Sequence, residues 1–304
     1  MRLIVGYLYP SVMSQYGDRG NVLTVIRRCA WRGISAEVTG LDVGDRVDPD
    51  RVDLVLIGGG ADSHQRLVCE DLLRVKGEGI RRAIDEGAAA LAVCAGYQLW
   101  GHYYRTATGE ELRGLGVFDA HTVHRAAQTG TRLDTITRAG SVRAVGNLVV
   151  QWGTTVLVGF ENHGGRTYLH SGAQPLGRVQ AGGGNNSEDG LEGCVHGNAI
   201  GTYLHGPALP KNPALADHLI AAALRRRYGD VTLPPLDDDP ELTAHEQALG
   251  RALARPGRWR LRWGEGVALP RGRAPRARDT PPHPSWFFAG NPVCLLTAGE
   301  SEAA

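Results

Sequence analysis

Cys94 has the setting most suited to chemistry. It stands in Val93-Cys94-Ala95-Gly96, directly after the apolar run from Ala88 to Val93 and before a helical run expected from Tyr97 to Tyr104. A strand that turns sharply into a helix needs small neighbours, and Ala95 and Gly96 supply them. Such a nucleophile elbow lifts its side chain above the carboxyl edge of a sheet. A helix N-terminus at that point favours thiolate over thiol, and the N–H of Ala95 is placed to meet a developing oxyanion. A cysteine in an α/β protein can also be a buried apolar filler. Two small residues after a long buried strand weigh toward the nucleophile.

A thiolate needs a base. Of the eleven histidines, His205 ends the run Ile200-Gly201-Thr202-Tyr203-Leu204-His205-Gly206 and, like Cys94, should emerge at the end of a strand. A Cys–His pair implies acyl transfer, with attack on an amide or ester followed by hydrolysis. Gly58-Gly59-Gly60 would let backbone approach a ligand closely and offer N–H groups to an oxyanion, although a triple glycine can equally be a tight turn alone. No G-x-x-x-x-G-K-[ST] occurs, and neither of the two lysines, Lys76 and Lys211, follows a glycine. A Walker-type phosphate loop is therefore excluded.

These residues must be positioned by a sheet. Leu3–Tyr9, Ser35–Leu41, Val52–Ile57 and Ala88–Val93 read as strands, with helical patterns over Val22–Trp31 and about Leu72–Glu86 between them. This β-α-β-β-α-β rhythm with nearly continuous apolar strands predicts an α/β fold whose mainly parallel sheet carries helices on both faces. After Gly114 shorter strand-like runs follow at Thr131–Thr137, Ala144–Trp152, Val156–Glu161 and Ala199–Leu204. Gln180–Gly190 reads as a flexible surface loop, and a last helix from Ala214 to Tyr228 stops at Gly229.

The chain has 304 residues, 33 Lys+Arg against 32 Asp+Glu and 42% hydrophobic residues. That length suits one large domain with an appendage, drawn here as 1–245 and 246–304. A net charge of +1 argues against a dedicated nucleic-acid binder. No apolar run approaches the ~20 residues that span a bilayer. The first residues lack a basic region, an apolar core and a cleavage site, so no secretory signal is expected. Cys29, Cys69, Cys94, Cys194 and Cys294 form no C-x-x-C pair, so neither a disulfide framework nor a metal site is expected. The protein reads as cytoplasmic. From Arg255 prolines alternate with arginines, which precludes regular structure. Trp259, Trp263, Trp286, Phe287 and Phe288 there could dock on a surface, or form a basic aromatic strip for RNA or anionic lipid.

Five blocks occur in order: Tyr16-Gly17-Asp18-Arg19-Gly20-Asn21, Gly58-Gly59-Gly60-Ala61-Asp62, Cys94-Ala95-Gly96-Tyr97-Gln98, Gly159-Phe160-Glu161-Asn162-His163-Gly164-Gly165 and Gly201-Thr202-Tyr203-Leu204-His205-Gly206. Over residues 1–230 the chain thereby resembles class I glutamine amidotransferases of the cobyric acid synthase (CobB/CobQ-like) branch. Within that branch it is most similar to the GatD-type glutaminase subunits of lipid II isoglutaminyl synthase. The resemblance implies a flavodoxin-like fold, Cys94 as nucleophile, His205 as general base, and Gly60 and Ala95 as oxyanion donors. It further implies that Gln98, Asn162, His163 and Gly164 hold the amino-acid end of L-glutamine. Arg143 resembles an arginine that pairs with the substrate carboxylate, a task suited to a planar guanidinium; the residue alone reads equally well as an exposed strand-edge charge.

Many relatives carry a glutamate two residues after the histidine, where this chain has Pro207. Either Cys94 and His205 work as a dyad or a partner supplies the acid. The resemblance implies a heterodimer with a MurT-like Mur ligase subunit that binds ATP and Mg, with no cofactor in this chain. That partner would amidate D-glutamate in a lipid-linked peptidoglycan precursor, without membrane insertion of the chain. Alternatives are an amidotransferase subunit for another acceptor such as a corrinoid, or a non-catalytic regulatory subunit. Corrinoid enzymes usually place a synthetase domain ahead of the glutaminase domain, whereas here the sheet begins at Leu3.

Overall fold

Four short runs of Val, Leu, Ile and Ala supply the centre of the molecule. In a computed structural model, which describes residues 1–15, 17–129 and 143–254, the chain opens with β1 (Arg2–Leu8), α1 (Arg19–Ala30), β2 (Ser35–Leu41) and β3 (Leu54–Ile57). Then come α2 (Asp62–Asp71), α3 (Gly77–Asp85), β4 (Ala89–Val93) and α4 (Ala95–Trp100). A run of strands follows: β5 (Tyr103–Arg105), β6 (Glu111–Arg113) and β7 (Ala120–His124), a short α5 (Arg125–Thr129), then β8 (Ala144–Trp152), β9 (Thr155–His163) and β10 (Gly165–Leu169). The body closes with β11 (Gly177–Ala181), β12 (Leu191–Glu192), β13 (Cys194–His196), β14 (Ala199–Thr202), α6 (Pro213–Tyr228) and α7 (Asp239–Leu253).

The main sheet has the order β13-β14-β4-β3-β1-β2, parallel except for β13. Its five parallel strands run in the flavodoxin order, in which ligands sit beyond the carboxyl ends of the strands. Every residue of β3 and β4 is buried, as a sheet covered on both faces requires. α6 packs against β1, β3 and β4 and buries Leu215, Leu219, Ile220 and Leu224. Each of these side chains contributes roughly 2 kcal/mol of burial. Gly229 ends α6 at φ +74°, a conformation that glycine adopts without strain. The buried Arg28 of α1 is held by Asp217 of α6 and by Asp238 ahead of α7, at 2.7 and 2.6 Å.

Two smaller four-stranded sheets, β10-β7-β5-β6 and β12-β11-β8-β9, stand beside the main one. β8 and β9 pair antiparallel from Ala144 opposite His163 to Trp152 opposite Thr155, and this register sets the position of one wall of the site.

Several expectations change. The helix placed at Leu72–Glu86 starts at Asp62, and a π-helical turn over Leu72–Lys76 joins α2 to α3. That turn carries Lys76 inward, where its Nζ reaches Asp71 and the carbonyl of Asp42, both at 2.6 Å. The run Tyr97–Tyr104 is helical only to Trp100: Gly101 turns extended, and the His102 N–H donates to the Ala120 carbonyl at 2.8 Å where β5 begins. Gln180–Gly190 is anchored rather than a flexible surface loop. The Glu161 carboxylate accepts from the N–H groups of Gly183 and Gly184, and Asn185 and Asn186 are buried and hydrogen-bonded. Helix α7 runs from Asp239 to Leu253, so residues 246–253 are helical rather than irregular. The strand expected at 131–137 and the aromatic residues of the tail lie outside the described residues. Among the described residues no helix is long and apolar enough to cross a membrane.

Candidate active site

β4 delivers Cys94 to the rim of the sheet with φ +52° and ψ −105°. A left-handed φ on a residue with a Cβ costs on the order of 1–3 kcal/mol and persists only where neighbours enforce it. Here the N–H of Cys94 donates to the Thr202 carbonyl at 2.9 Å, and that of Gly96 to the Gly58 carbonyl at 3.2 Å. A Cβ at Gly96 would stand 2.8 Å from Ile57 Cγ2, which explains the small residue that the elbow demands.

The charge state of Cys94 differs from expectation. Burial pushes the thiol up to about 12; Asp18 adds to the rise, and Arg143 and the Ala95 N–H pull it down only in part. Helix α4 is six residues long, and its N-terminal field does not offset the lost hydration. In the unliganded protein Cys94 is a thiol, not the thiolate that the elbow suggests.

His205 follows β14, whose Thr202 pairs with Val93 of β4, so both residues leave the carboxyl ends of adjacent parallel strands. Its backbone is clamped to Phe160, with the His205 N–H donating at 2.8 Å and the Phe160 N–H returning at 3.3 Å. The ring is buried and pushed down to about 4 by burial and by the charges of His163 and Arg143. It is neutral at pH 7, as a proton acceptor must be. Arg143 acts on both residues, favouring the anion at Cys94 and the neutral ring at His205.

A cavity of about 380 Å³ opens beside the elbow, enough for a free amino acid, and it brings together Gly60, Cys94, Gln98, Arg143, Asn162, His163 and Gly164. Ala95 and His205 are buried and do not belong to its lining. Arg143 stands at the mouth, with its Nε donating to Asn162 Oδ1 at 3.0 Å and an Nη to the Asn162 carbonyl at 2.7 Å. The turn beneath is tightly determined. His163 Nδ1–H donates to the Gly165 carbonyl at 2.7 Å, and the ring lies flat on Tyr203 with centroids 3.6 Å apart. A Cβ at Gly164 would come within 2.1 Å of His124 Nε2. Gln98 has both ends of its carboxamide engaged, accepting from Gln65 and donating to the Tyr203 hydroxyl.

Asp62, Gln65, Tyr104 and His124 also line the cavity, and residue types alone gave no sign of them. The sequence blocks contained Asp18 without a task for it. Its buried carboxylate accepts from the Gly59 N–H at 2.8 Å, and a Cβ on Gly58 would collide with it. Asp18 thus holds the glycine turn that carries Gly60.

One cavity of amino-acid size thus brings together the strained Cys94, Gly60 and Arg143. The chain belongs to the CobB/CobQ-like glutamine amidotransferase family, whose domain matches residues 4–213. Among individual relatives it is 35% identical to the lipid II isoglutaminyl synthase (glutamine-hydrolyzing) subunit GatD of Staphylococcus aureus (strain N315), over 82% of this chain and 96% of that one. It is likewise 35% identical to the GatD subunit of Streptococcus pneumoniae (strain ATCC BAA-255 / R6), over 78% and 86%. Cobyric acid synthase of Limosilactobacillus reuteri (strain DSM 20016) is 32% identical over 55% of this chain but only 31% of its own length.

Proposed function

We propose that the chain is the glutaminase subunit of a two-subunit lipid II isoglutaminyl synthase, a cytoplasmic enzyme acting on L-glutamine. Arg143 binds the α-carboxylate of glutamine through its fork of N–H groups, and the Asn162-His163-Gly164 turn and Gln98 shape the pocket around the amino-acid end. The Cys94 thiol gives its proton to His205 as sulfur attacks the side-chain carbonyl carbon. The oxyanion lies against the N–H groups of Gly60 and Ala95. The C–N bond breaks as His205 returns the proton, so that ammonia leaves and a thioester remains. Water, deprotonated by His205, then cleaves the thioester to release glutamate and restore the thiol.

The ammonia passes to a MurT-like Mur ligase partner that holds ATP and Mg and activates the carboxylate of D-glutamate in the lipid-linked stem peptide. The two GatD relatives, matched over nearly their whole lengths, support this reading. The observation that carries it is the strained Cys94 facing the same cavity as Gly60, Arg143 and the Asn162-His163-Gly164 turn. The test is glutamate release by the reconstituted complex. Cys94→Ala is expected to reduce it to background, as is His205→Ala. Full activity in the Cys94→Ala complex removes the nucleophile assignment.

A further inference from the structure

A second cluster of chemically active side chains stands on the exposed end of the β10-β7-β5-β6 sheet, and none of its members lines the glutamine cavity. His102 immediately precedes β5, Asp119 precedes β7, and His170 follows β10. The sheet fixes their backbones: the His102 N–H donates to the Ala120 carbonyl at 2.8 Å and the His170 N–H to the Asp119 carbonyl at 2.9 Å. Their side chains converge on one point. His102 Nε2 lies 2.8 Å and His170 Nδ1 3.0 Å from the same oxygen, Asp119 Oδ1. All three donor atoms fall within 4.8 Å of one another.

We propose that His102, Asp119 and His170 form a binding site for a divalent transition-metal ion of the zinc type, leaving one coordination position open for water or an outside donor. Two imidazoles and one carboxylate are the donor set that zinc favours over magnesium or calcium, which prefer oxygen alone. Bond lengths of about 2.0–2.2 Å in a tetrahedral site put neighbouring donors roughly 3.3 Å apart. The observed 2.8 and 3.0 Å need to open by only a few tenths of an ångström, which exposed side chains can do.

A fourth residue supports the site from outside. His121 Nδ1 lies 2.9 Å from His170 Nε2. A metal on His170 Nδ1 requires the proton on Nε2, and His121 Nδ1 is there to accept the hydrogen bond from it. Outer partners of this kind fix the tautomer and ring plane of a ligating histidine.

The experiment titrates zinc chloride into the full-length chain by calorimetry and follows the melting temperature alongside. One zinc per chain with micromolar or tighter affinity is expected, together with a rise in melting temperature. His121→Phe should weaken binding by about 10–100-fold, as outer partners do elsewhere. The double variant His102→Ala/His170→Ala should lose both the binding event and the thermal shift while keeping the metal-free melting temperature. Cobalt(II) should give the intense visible bands of four-coordination in the parent and not in the double variant. Zinc uptake that persists undiminished in the double variant overturns the proposal, as does a parent chain that takes up no zinc at micromolar concentration.

Discussion

Cys94 and His205 are both neutral in the resting protein, and the reason is the same for both: burial penalises the charged form of each. Burial thus opposes transfer of the Cys94 proton to the His205 ring ahead of attack in the proposed mechanism. The thiolate therefore forms during attack, not before it. Two measurements follow from this. Alkylation of Cys94 by iodoacetamide should keep accelerating with pH and show no plateau below about pH 10; a plateau near pH 7 removes the neutral-thiol account. Because the folded-state pKa of His205 is lowered, its ring is a competent base above about 4 and loses that capacity only as pH falls through that value. The acid limb of kcat/KM for glutamine should then fall well below the ordinary histidine range near 6.5. Arg143→Gln removes a positive neighbour from His205 and should move that limb upward, in addition to raising KM.

At the scale of elements, the site depends on two approaches too close for any side chain. One is Gly96 against Ile57, and the other is Gly164 against the ring of His124. Gly164→Ala should therefore displace the β9–β10 turn and with it Asn162 and Arg143, lowering kcat/KM by about 100-fold through misplacement alone. The colliding atom belongs to a side chain, so His124→Ala in the same chain should recover part of the loss. A double variant as inactive as Gly164→Ala alone means that the space beside His124 is not what the glycine protects. These approaches also mark the limit of what the sequence disclosed. β1, β3, β4 and the elbow were legible because buried parallel strands are continuous apolar runs and because a sharp turn calls for Ala95 and Gly96. His124 and Tyr104 were not, since β7 and β5 reach the cavity through pairings with each other and with β10, distant in sequence, and Gln65 was not, since it lies on α2. Helix α2 escaped notice because its apolar side is thin, with only Gln65 and Val68 buried, so no 3.6-residue stripe announces it. Charge was misread for a related cause. The dipole argument for a thiolate is local to Cys94, whereas the burial that opposes it comes from the whole surrounding core.

At the scale of the molecule, the neutrality of Cys94 and His205 has a consequence for assembly under the proposed mechanism. Position 207, two residues after His205, is a proline, and burial together with His163 and Arg143 disfavours the charged ring. An imidazolium at position 205 thus forms at a cost that an added carboxylate would lower. A carboxylate brought to within about 4 Å of the ring by a partner typically raises such a pKa by one to three units, which lowers the cost of the first proton transfer by about 1.4 kcal/mol per unit. Glutamine hydrolysis should then be about 10–1000-fold faster in the complex than in the isolated chain, with the gain mainly in kcat and little in KM. The comparison is glutamate release by the purified chain with and without its ligase partner at equal site concentration. An isolated chain that hydrolyses glutamine as fast as the complex excludes a carboxylate supplied from outside and makes Cys94 and His205 a self-sufficient dyad. If the complex is faster, substituting each acidic residue of the partner that faces His205 should identify one whose loss returns kcat to that of the isolated chain while leaving the two subunits associated.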